Sequence, residues 1–250
     1  FVYATILAQF ITMMMKYFYA KSVLYEHNIT IVEILKEKVN MPLLKELKIF
    51  SFIVYNNFDV AVRMVSRQLD VVILGKLYGA EIVGIYKIAK EVANLIAKLT
   101  DPVYQAIYPE FAKLLANGKK LEAKQMAIKI SLYAGGAGLI FYGLFALIGE
   151  WAIGLAFGSE FLGAYDVTLV YFIAIFIAIM NLPLVPVLHS KGLAKQAFWN
   201  QLWATVSYCI VIYPLALYFS AIGAALAYIA FYIVWMFLAL KTIKNNKVFV

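Results

Sequence analysis

Apolar runs long enough to cross a bilayer recur along this chain, and they restrict its fold more than any other feature. A membrane-spanning helix needs about 20 mostly apolar residues, and the mean hydropathy of the 250 residues is +0.83. Because a bilayer offers the backbone no hydrogen-bond partners, only helices or closed barrels can span it. The runs are continuous rather than strictly alternating, which favours helices. The sequence predicts an all-α integral membrane protein, a polytopic bundle of about seven helices. The predicted spans lie near 1–19, 49–77, 83–115, 126–149, 165–188, 198–219 and 222–240.

The charges follow a membrane topology rather than a nucleic-acid surface. The chain has 22 Lys and Arg against 14 Asp and Glu, a net charge of +8. Most of the basic residues fall in alternate connections and in the C-terminal tail. The positive-inside rule makes that side cytoplasmic. We therefore expect a multi-pass protein of the plasma (inner) membrane with a cytoplasmic C-terminus and no nucleic-acid partner.

The one long polar segment is 20–48, where Lys and Glu mix with apolar residues at helical spacing. A cytoplasmic amphipathic helix on the membrane surface fits this pattern, and so does a plain linker. The segment separates the first predicted span from the other six, so it is the best boundary between two bundles. The chain also starts at Phe1 inside an apolar run and has an odd span count, from which we expect its beginning to be missing.

Charged residues at helical spacing inside two predicted spans are the strongest functional signal. They are Asp59, Arg63, Arg67 and Asp70 in the second span, and Lys87, Lys90, Glu91, Lys98 and Asp101 in the third. Each charge at mid-membrane costs about 2.5–3.5 kcal/mol on insertion scales. Both stripes must therefore face protein or water, and the simplest arrangement is a shared polar cavity.

Two interpretations of these stripes stay open. In the functional one, the cations attract an anionic ligand, because the guanidinium fork of arginine binds two phosphate oxygens at once. The predicted substrate-binding residues are then Arg63, Arg67, Lys87 and Lys90, and the predicted ion-coupling residues are Asp70 and Glu91. In the structural one, the charges neutralise each other. The candidate pairs are Asp59–Arg63, Arg67–Asp70, and Lys87 with Asp70 or Glu91.

Other residues predict how the helices pack and bend. Prolines would bend or break three spans, because proline lacks a backbone donor; they are Pro102, Pro109, Pro183, Pro186 and Pro214. The small-residue stretches at 134–138 and 221–227 would allow close helix contacts. The predicted interface anchors, with packing as the alternative, are Trp151, Trp199, Trp203 and Trp235. A single cysteine and two separated histidines predict no disulfide, no metal and no cofactor.

Residues 66–114, which include "VILGKLYG", "VGIYKIAKEV" and "IYPEFAKL", resemble a segment of the oligosaccharide and O-antigen flippases. These belong to the multidrug/oligosaccharidyl-lipid/polysaccharide exporter superfamily. The stretches at 153–165 and 221–228 are also similar to segments of that family. The resemblance implies two lobes of about six helices each. Residues 1–19 would then be the last helix of a truncated N-terminal lobe, 20–48 the linker, and 49–250 the C-terminal lobe.

The resemblance also implies a function. Such a protein would move a polyprenyl-diphosphate-linked oligosaccharide from the cytoplasmic to the outer leaflet by alternating access, with membrane lipid and a coupling cation as further partners. The alternative is a cation-coupled exporter of the multidrug and toxin extrusion type, although cations in the cavity would repel its usual cationic cargo. A membrane enzyme would need convergent acid and base groups on the outer side, and a scaffold would need no charged stripe. We therefore expect a transporter rather than an enzyme.

Overall fold

The chain is helical throughout nearly all of the part that the computed structural model describes, which is residues 12–16, 18–19, 22 and 49–249. Its contacts divide it into two compact units, Phe1–Phe50 and Ser51–Val250. In the first unit the described residues are helical. The predicted linker at 20–48 lies outside the described residues except at residue 22, so its assignment stays a prediction.

The second unit is built from helices joined by short turns. Their bounds are α1 Ile49–Lys98, α2 Asp101–Ala116, α3 Lys120–Phe157, α4 Ala164–Met180, α5 Leu184–Ser190 and α6 Ala194–Asn245, with a 3₁₀ turn at Ser159–Phe161. No strand occurs among the described residues. Within the described ranges, three helical segments are long and apolar enough to cross a membrane, namely Lys120–Phe157, Ala164–Ser190 and Ala194–Asn245. The prediction of an all-α membrane protein is confirmed, whereas the count of seven spans stays a prediction.

Helix α1 is two helices that meet at Gly79. The backbone there has φ 79°, a left-handed value that glycine adopts without steric cost. The chain folds back on itself at this break, as the ion pair between Asp70 before it and Lys90 after it shows. Gly75 also faces Val83, and an added Cβ on Gly75 would be in van der Waals contact with the valine side chain at 3.6 Å. The end of the second predicted span and the start of the third thus form an antiparallel pair.

Helix α6 folds back in the same way at Ser220. A straight helix of its 52 residues would be about 78 Å long, more than twice the roughly 30 Å apolar core of a bilayer. The break has φ 54° at Ser220, and beyond it the Thr242 hydroxyl donates to Asn200 Oδ1 at 3.1 Å. A Cβ on Gly223 would lie 1.9 Å from the Leu215 carbonyl oxygen. The predicted close contact at 221–227 is therefore confirmed.

The two turns lie at the same end of the second unit. The Tyr78 hydroxyl, next to Gly79, is 3.0 Å from the carbonyl oxygen of Ala216 and 2.8 Å from that of Leu217, and donates to them. Both acceptors lie in the last turn before Ser220. One phenol therefore ties the α1 hairpin to the α6 hairpin.

Two prolines mark helix breaks, as predicted. Helix α1 ends at Lys98, and α2 begins at Asp101 with Pro102 in its first turn. Helix α4 ends at Met180, and α5 begins directly after Pro183. Helix α4 packs against both α3 and α6. Its Met180 and Phe176 side chains fill the space left by the small residues at 134–138 on α3, so the close contact predicted there is also confirmed.

Candidate functional site

A cavity of about 180 Å³ lies where the α1 hairpin meets the break between α4 and α5 and the second half of α6. We call it the polar cavity. Its polar lining residues are Arg63, Ser66, Arg67, Tyr104, Asn181 and Gln201. Arginines from the second predicted span thus share one space with Tyr104 of the third. This matches the expectation that the two spans line a common cavity, although the third contributes a phenol rather than its charges.

Arg63 reaches the polar cavity while it is held by a neighbour on its own helix. Its Nε donates to Asp59 Oδ2 at 2.8 Å, so the predicted Asp59–Arg63 pair is confirmed. The Asp59 side chain is 10% exposed and that of Arg63 is 36% exposed. Because the described contact uses Nε alone, the two terminal nitrogens of the guanidinium remain available to a ligand. Asp59 compensates part of the charge of Arg63 through Nε, and the terminal nitrogens keep their hydrogen-bonding capacity for a ligand.

Arg67 lines the same cavity one helical turn further on. It is exposed, and among the described residues its guanidinium has no hydrogen bond and no ion pair. Its predicted partner, Asp70, is instead bound to Lys90. The alternative in which Arg67 and Asp70 neutralise each other is therefore not the arrangement found. Arg67 brings its positive charge to the cavity without a carboxylate against it.

Asp70 and Lys90 form a buried pair beside the polar cavity rather than in its lining. Asp70 is fully buried, and its Oδ2 accepts from Lys90 Nζ at 2.5 Å and from the Tyr86 hydroxyl at 2.7 Å. Its Oδ1 accepts from the Val71 amide at 2.8 Å. The Lys90 ammonium also lies 5.7 and 5.4 Å from the ring centres of Tyr86 and Tyr228, within the range of cation–π attraction. Protein groups thus donate three hydrogen bonds to the Asp70 carboxylate.

The remaining two predicted residues belong to neither group. Lys87 and Glu91 are exposed on the second half of α1, and neither lines the polar cavity. The structure thus brings Arg63 together with Arg67 and Asp70 together with Lys90. The predicted roles in substrate binding and ion coupling themselves stay predictions.

An aromatic wall completes the polar cavity. It consists of Tyr228, Phe231, Tyr232 and Trp235, all on the second half of α6. The ring centres of Phe231 and Tyr232 are 5.0 Å apart, and Tyr228 is 6.2 and 6.3 Å from them. Trp235 is only 6% exposed, so it packs inside the bundle and is not an interface anchor. The spacing of three, four and seven residues along "YIAFYIVW" was a signal in the sequence for one aromatic face.

Two residues of this lining each carry a buried N–H donor that has no partner among the described residues. The donors are the side-chain amide nitrogen of Asn181 and the indole nitrogen of Trp235. Asn181 is 5% exposed and sits at the break before Pro183. Buried donors are nearly always satisfied in proteins, by protein groups, water or a ligand. An asparagine beside a proline within an otherwise apolar span was the signal that could have identified this residue.

An apolar cavity of about 420 Å³ adjoins the polar one. It lies between the end of α1, the start of α2, and the helices α3 and α4. Leu99, Val103, Ala134 and Phe141 contribute to its lining. Leu182 lines both cavities, so a charged space and an apolar space share one wall.

The described residues contain no group of three or more His, Cys, Asp or Glu side chains placed to hold a metal ion. The polar cavity is lined by two arginines, by uncharged polar and apolar side chains, and by aromatic rings. Such a lining suits an anionic ligand that is rich in oxygen acceptors.

Comparison with known proteins gives two matches. A family model described as "Polysaccharide biosynthesis protein" matches residues 1–166. The chain is also 26% identical over 183 residues to the "Putative O-antigen transporter" of Escherichia coli (strain K12), which covers 72% of this chain and 43% of that protein. The chain thus spans less than half the length of this curated relative. No solved structure matches.

Proposed function

Because the chain belongs to the family of polysaccharide biosynthesis proteins, we propose that it is a flippase for a polyprenyl-diphosphate-linked oligosaccharide. It would move this lipid from the cytoplasmic to the outer leaflet of the plasma (inner) membrane, for the synthesis of a cell-surface polysaccharide. Its C-terminus would be cytoplasmic. The similarity to a protein named for O-antigen transport supports this assignment.

One observation carries the proposal: the polar cavity with Arg63 and Arg67 lies next to an apolar cavity, and Leu182 belongs to both. A lipid diphosphate has the same two-part character, with a concentrated negative charge joined to a hydrocarbon chain. The guanidinium groups would bind the diphosphate oxygens, and the apolar cavity would accept the first part of the prenyl chain. A charged head group that crosses the apolar core of the bilayer would otherwise lose its hydration without compensation.

The transport cycle follows from the lobe arrangement that the sequence predicts. The second unit would rock against a preceding N-terminal lobe, so that the polar cavity opens to one side of the membrane at a time. The further cations Lys87 and Lys90, and ion coupling through Asp70 and Glu91, belong to the same proposal. We propose no chemical conversion of the substrate, and hence no enzymatic activity.

Export of organic cations is the alternative within the wider superfamily, and this cavity favours it less. The described lining contains two arginines and no carboxylate, and like charges repel. A cationic dye would therefore have to enter against the field of Arg63 and Arg67.

The test uses the whole gene in a cell that lacks its own flippase. Arg63 and Arg67 are both replaced by Ala, membrane levels are matched, and lipid-linked glycan is measured in each leaflet. Hydrogen bonds to charged groups are worth about 1.5–3 kcal/mol each, so we expect at least about a tenfold loss of transport. Substrate should accumulate in the cytoplasmic leaflet.

The matched control replaces two exposed cations on α3, Lys124 and Lys129, by Ala. These residues lie outside the polar cavity, so this variant should transport as the unaltered protein does. A well-folded Arg63→Ala, Arg67→Ala variant that clears the cytoplasmic leaflet normally would contradict the proposal. Export of a cationic dye by the unaltered protein would favour the alternative.

A further inference from the structure

We infer that Tyr228 and Lys90 are positioning residues for the two cavity arginines. They fasten the turn of α1 that carries Arg63 and Arg67, and thereby make the polar cavity selective for a diphosphate over a monophosphate. This inference rests on the proposed function and adds to it the residues that set the spacing of the two guanidinium groups. Lys90 does not line the polar cavity, so its part in substrate binding needs no contact with the ligand.

The turn between Arg63 and Arg67 is held by side chains from two other helical segments. The Tyr228 hydroxyl, on the second half of α6, donates to the Ser66 carbonyl oxygen at 2.5 Å. The Lys90 ammonium, on the second half of α1, donates to the Arg67 carbonyl oxygen at 2.7 Å. Tyr228 is only 4% exposed and the Lys90 side chain 12%. Two adjacent carbonyls of one turn are therefore bound by two largely buried donors.

The backbone alone holds this turn less firmly than an ordinary helical turn. In an α-helix the Arg67 carbonyl would accept from the Val71 amide, four residues further on. That amide donates to Asp70 Oδ1 at 2.8 Å, so the carboxylate competes with the carbonyl for one N–H. The Lys90 ammonium, which also binds Asp70 Oδ2, supplies the carbonyl with another donor. The buried ion pair thus acts on both groups of the same backbone link.

A fastened turn fixes where the two guanidinium groups enter the polar cavity. Residues four apart lie on one helix face, with about 5–6 Å between their Cβ atoms. A diphosphate offers two phosphoryl groups, one for each guanidinium fork, and gains from a spacing that is set before it binds. A monophosphate needs only one fork. Arg67, which is exposed, can supply that fork wherever the turn lies, so binding of a monophosphate does not depend on the fastening.

The experiment measures binding of two probes of equal chain length, a prenyl diphosphate and a prenyl monophosphate, to the purified full-length protein in detergent. Tyr228→Phe keeps the ring and removes the hydroxyl. We expect it to weaken binding of the diphosphate by about threefold to tenfold, the worth of one hydrogen bond, and to leave binding of the monophosphate unchanged.

Tyr165→Phe is the matched control, because the Tyr165 hydroxyl also joins two helices. It donates to the Ala146 carbonyl oxygen at 2.8 Å, and Tyr165 lines neither cavity. This variant should bind both probes as the unaltered protein does. If it loses as much affinity for the diphosphate as Tyr228→Phe does, loosening of the bundle in general explains the effect and the positioning role is refuted.

A double-mutant cycle shows whether Tyr228 acts through Arg67. In an Arg67→Ala background, Tyr228→Phe should have no further effect on the diphosphate, because no second fork is left to position. If it weakens the diphosphate there as much as in the unaltered protein, Tyr228 does not act through the arginine and the inference is wrong. The double variant with Asp70→Asn and Lys90→Met removes the other fastening without leaving a buried charge unpaired. It should also weaken the diphosphate alone, and it serves if Tyr228→Phe does not fold.

The outcomes separate this inference from the proposed function. If Tyr228→Phe weakens both probes equally, or neither, the positioning role is refuted while the arginine site stands. The variant with Arg63→Ala and Arg67→Ala should lose affinity for both probes. If it binds both as the unaltered protein does, the proposed diphosphate site itself fails, whatever Tyr228→Phe shows.

Discussion

The Asp70–Lys90 pair allows a test that separates a structural role from a functional one. Asp70 is fully buried and the Lys90 side chain is 12% exposed, so neither charge can be solvated when its partner is removed. Breaking a buried pair by removal of one partner costs about 3–5 kcal/mol, whereas replacing both partners is often nearly neutral. We therefore expect Asp70→Asn and Lys90→Met each to lower the free energy of unfolding by about 3 kcal/mol or more. The double variant should lose less than either single variant.

The assay is unfolding in mixed detergent micelles, titrated with a denaturing detergent and followed by tryptophan fluorescence. Lys87→Met is the matched control, because Lys87 lies one turn away on the same helix and is exposed. Exposed substitutions of this kind usually change stability by no more than about 0.5 kcal/mol. If the losses of the two single variants simply add in the double variant, the two charges do not depend on each other and our reasoning about the pair is refuted.

Transport by the same double variant then tests the predicted coupling role of Asp70. If the folded double variant moves lipid-linked glycan and still responds to the ion gradient, Asp70 serves the fold and coupling lies elsewhere. If transport continues but no longer responds to the gradient, the carboxylate is the coupling group. The stability control matters here, because loss of folded protein alone would otherwise imitate loss of coupling.

Two further predictions concern the turns and the polar cavity. Gly223→Ala would place a Cβ 1.9 Å from the Leu215 carbonyl oxygen. We expect this backbone clash to lower the free energy of unfolding, and with it the unfolding midpoint, by about 1–3 kcal/mol or more. Gly136→Ala, which meets nothing within 4 Å among the described residues, should be neutral or stabilising, and equal midpoints for the two variants would contradict the close contact at Gly223. In a background without the native cysteine, Arg67→Cys should react with a charged thiol reagent because its position is exposed at the polar cavity. Leu74→Cys, two turns along the same face and fully buried, should not, and equal labelling of both would show that the stripe does not face water.

The sequence predicts the helical class and two of the helix interruptions, because hydropathy and proline act locally. Pro109 and Pro214, in contrast, lie inside α2 and α6. The breaks at Pro102 and Pro183 follow from the missing backbone donor, and both appear where expected. The turn at Ser220 is different, since serine has no preference for a positive φ. That turn depends on the packing of the two halves of α6 against each other, which no local pattern in the sequence contains.

The candidate site was predictable in part, for the same reason. Helical spacing identifies Arg63 and Arg67 as one face and Asp59 as a partner for Arg63. It cannot assign Asp70 to Lys90 rather than to Arg67, because that choice depends on how the α1 hairpin closes across Gly79. Asn181 and Trp235 reach the polar cavity from helices far apart in the chain. That both line one cavity becomes visible only when the α4–α5 break and the end of α6 are placed together.

The single-residue turns at Gly79 and Ser220 also decide how this protein can be handled from outside. Proteases and antibodies engage stretches of several residues, and neither turn offers such a stretch. A reporter or epitope inserted at either turn would have to separate helices that the Tyr78 hydroxyl ties together. Tags that report on membrane sidedness are better placed at an exposed turn such as that of Gly118. At the two hairpins themselves, the folded protein would therefore offer little to the immune and proteolytic reagents commonly used to map topology.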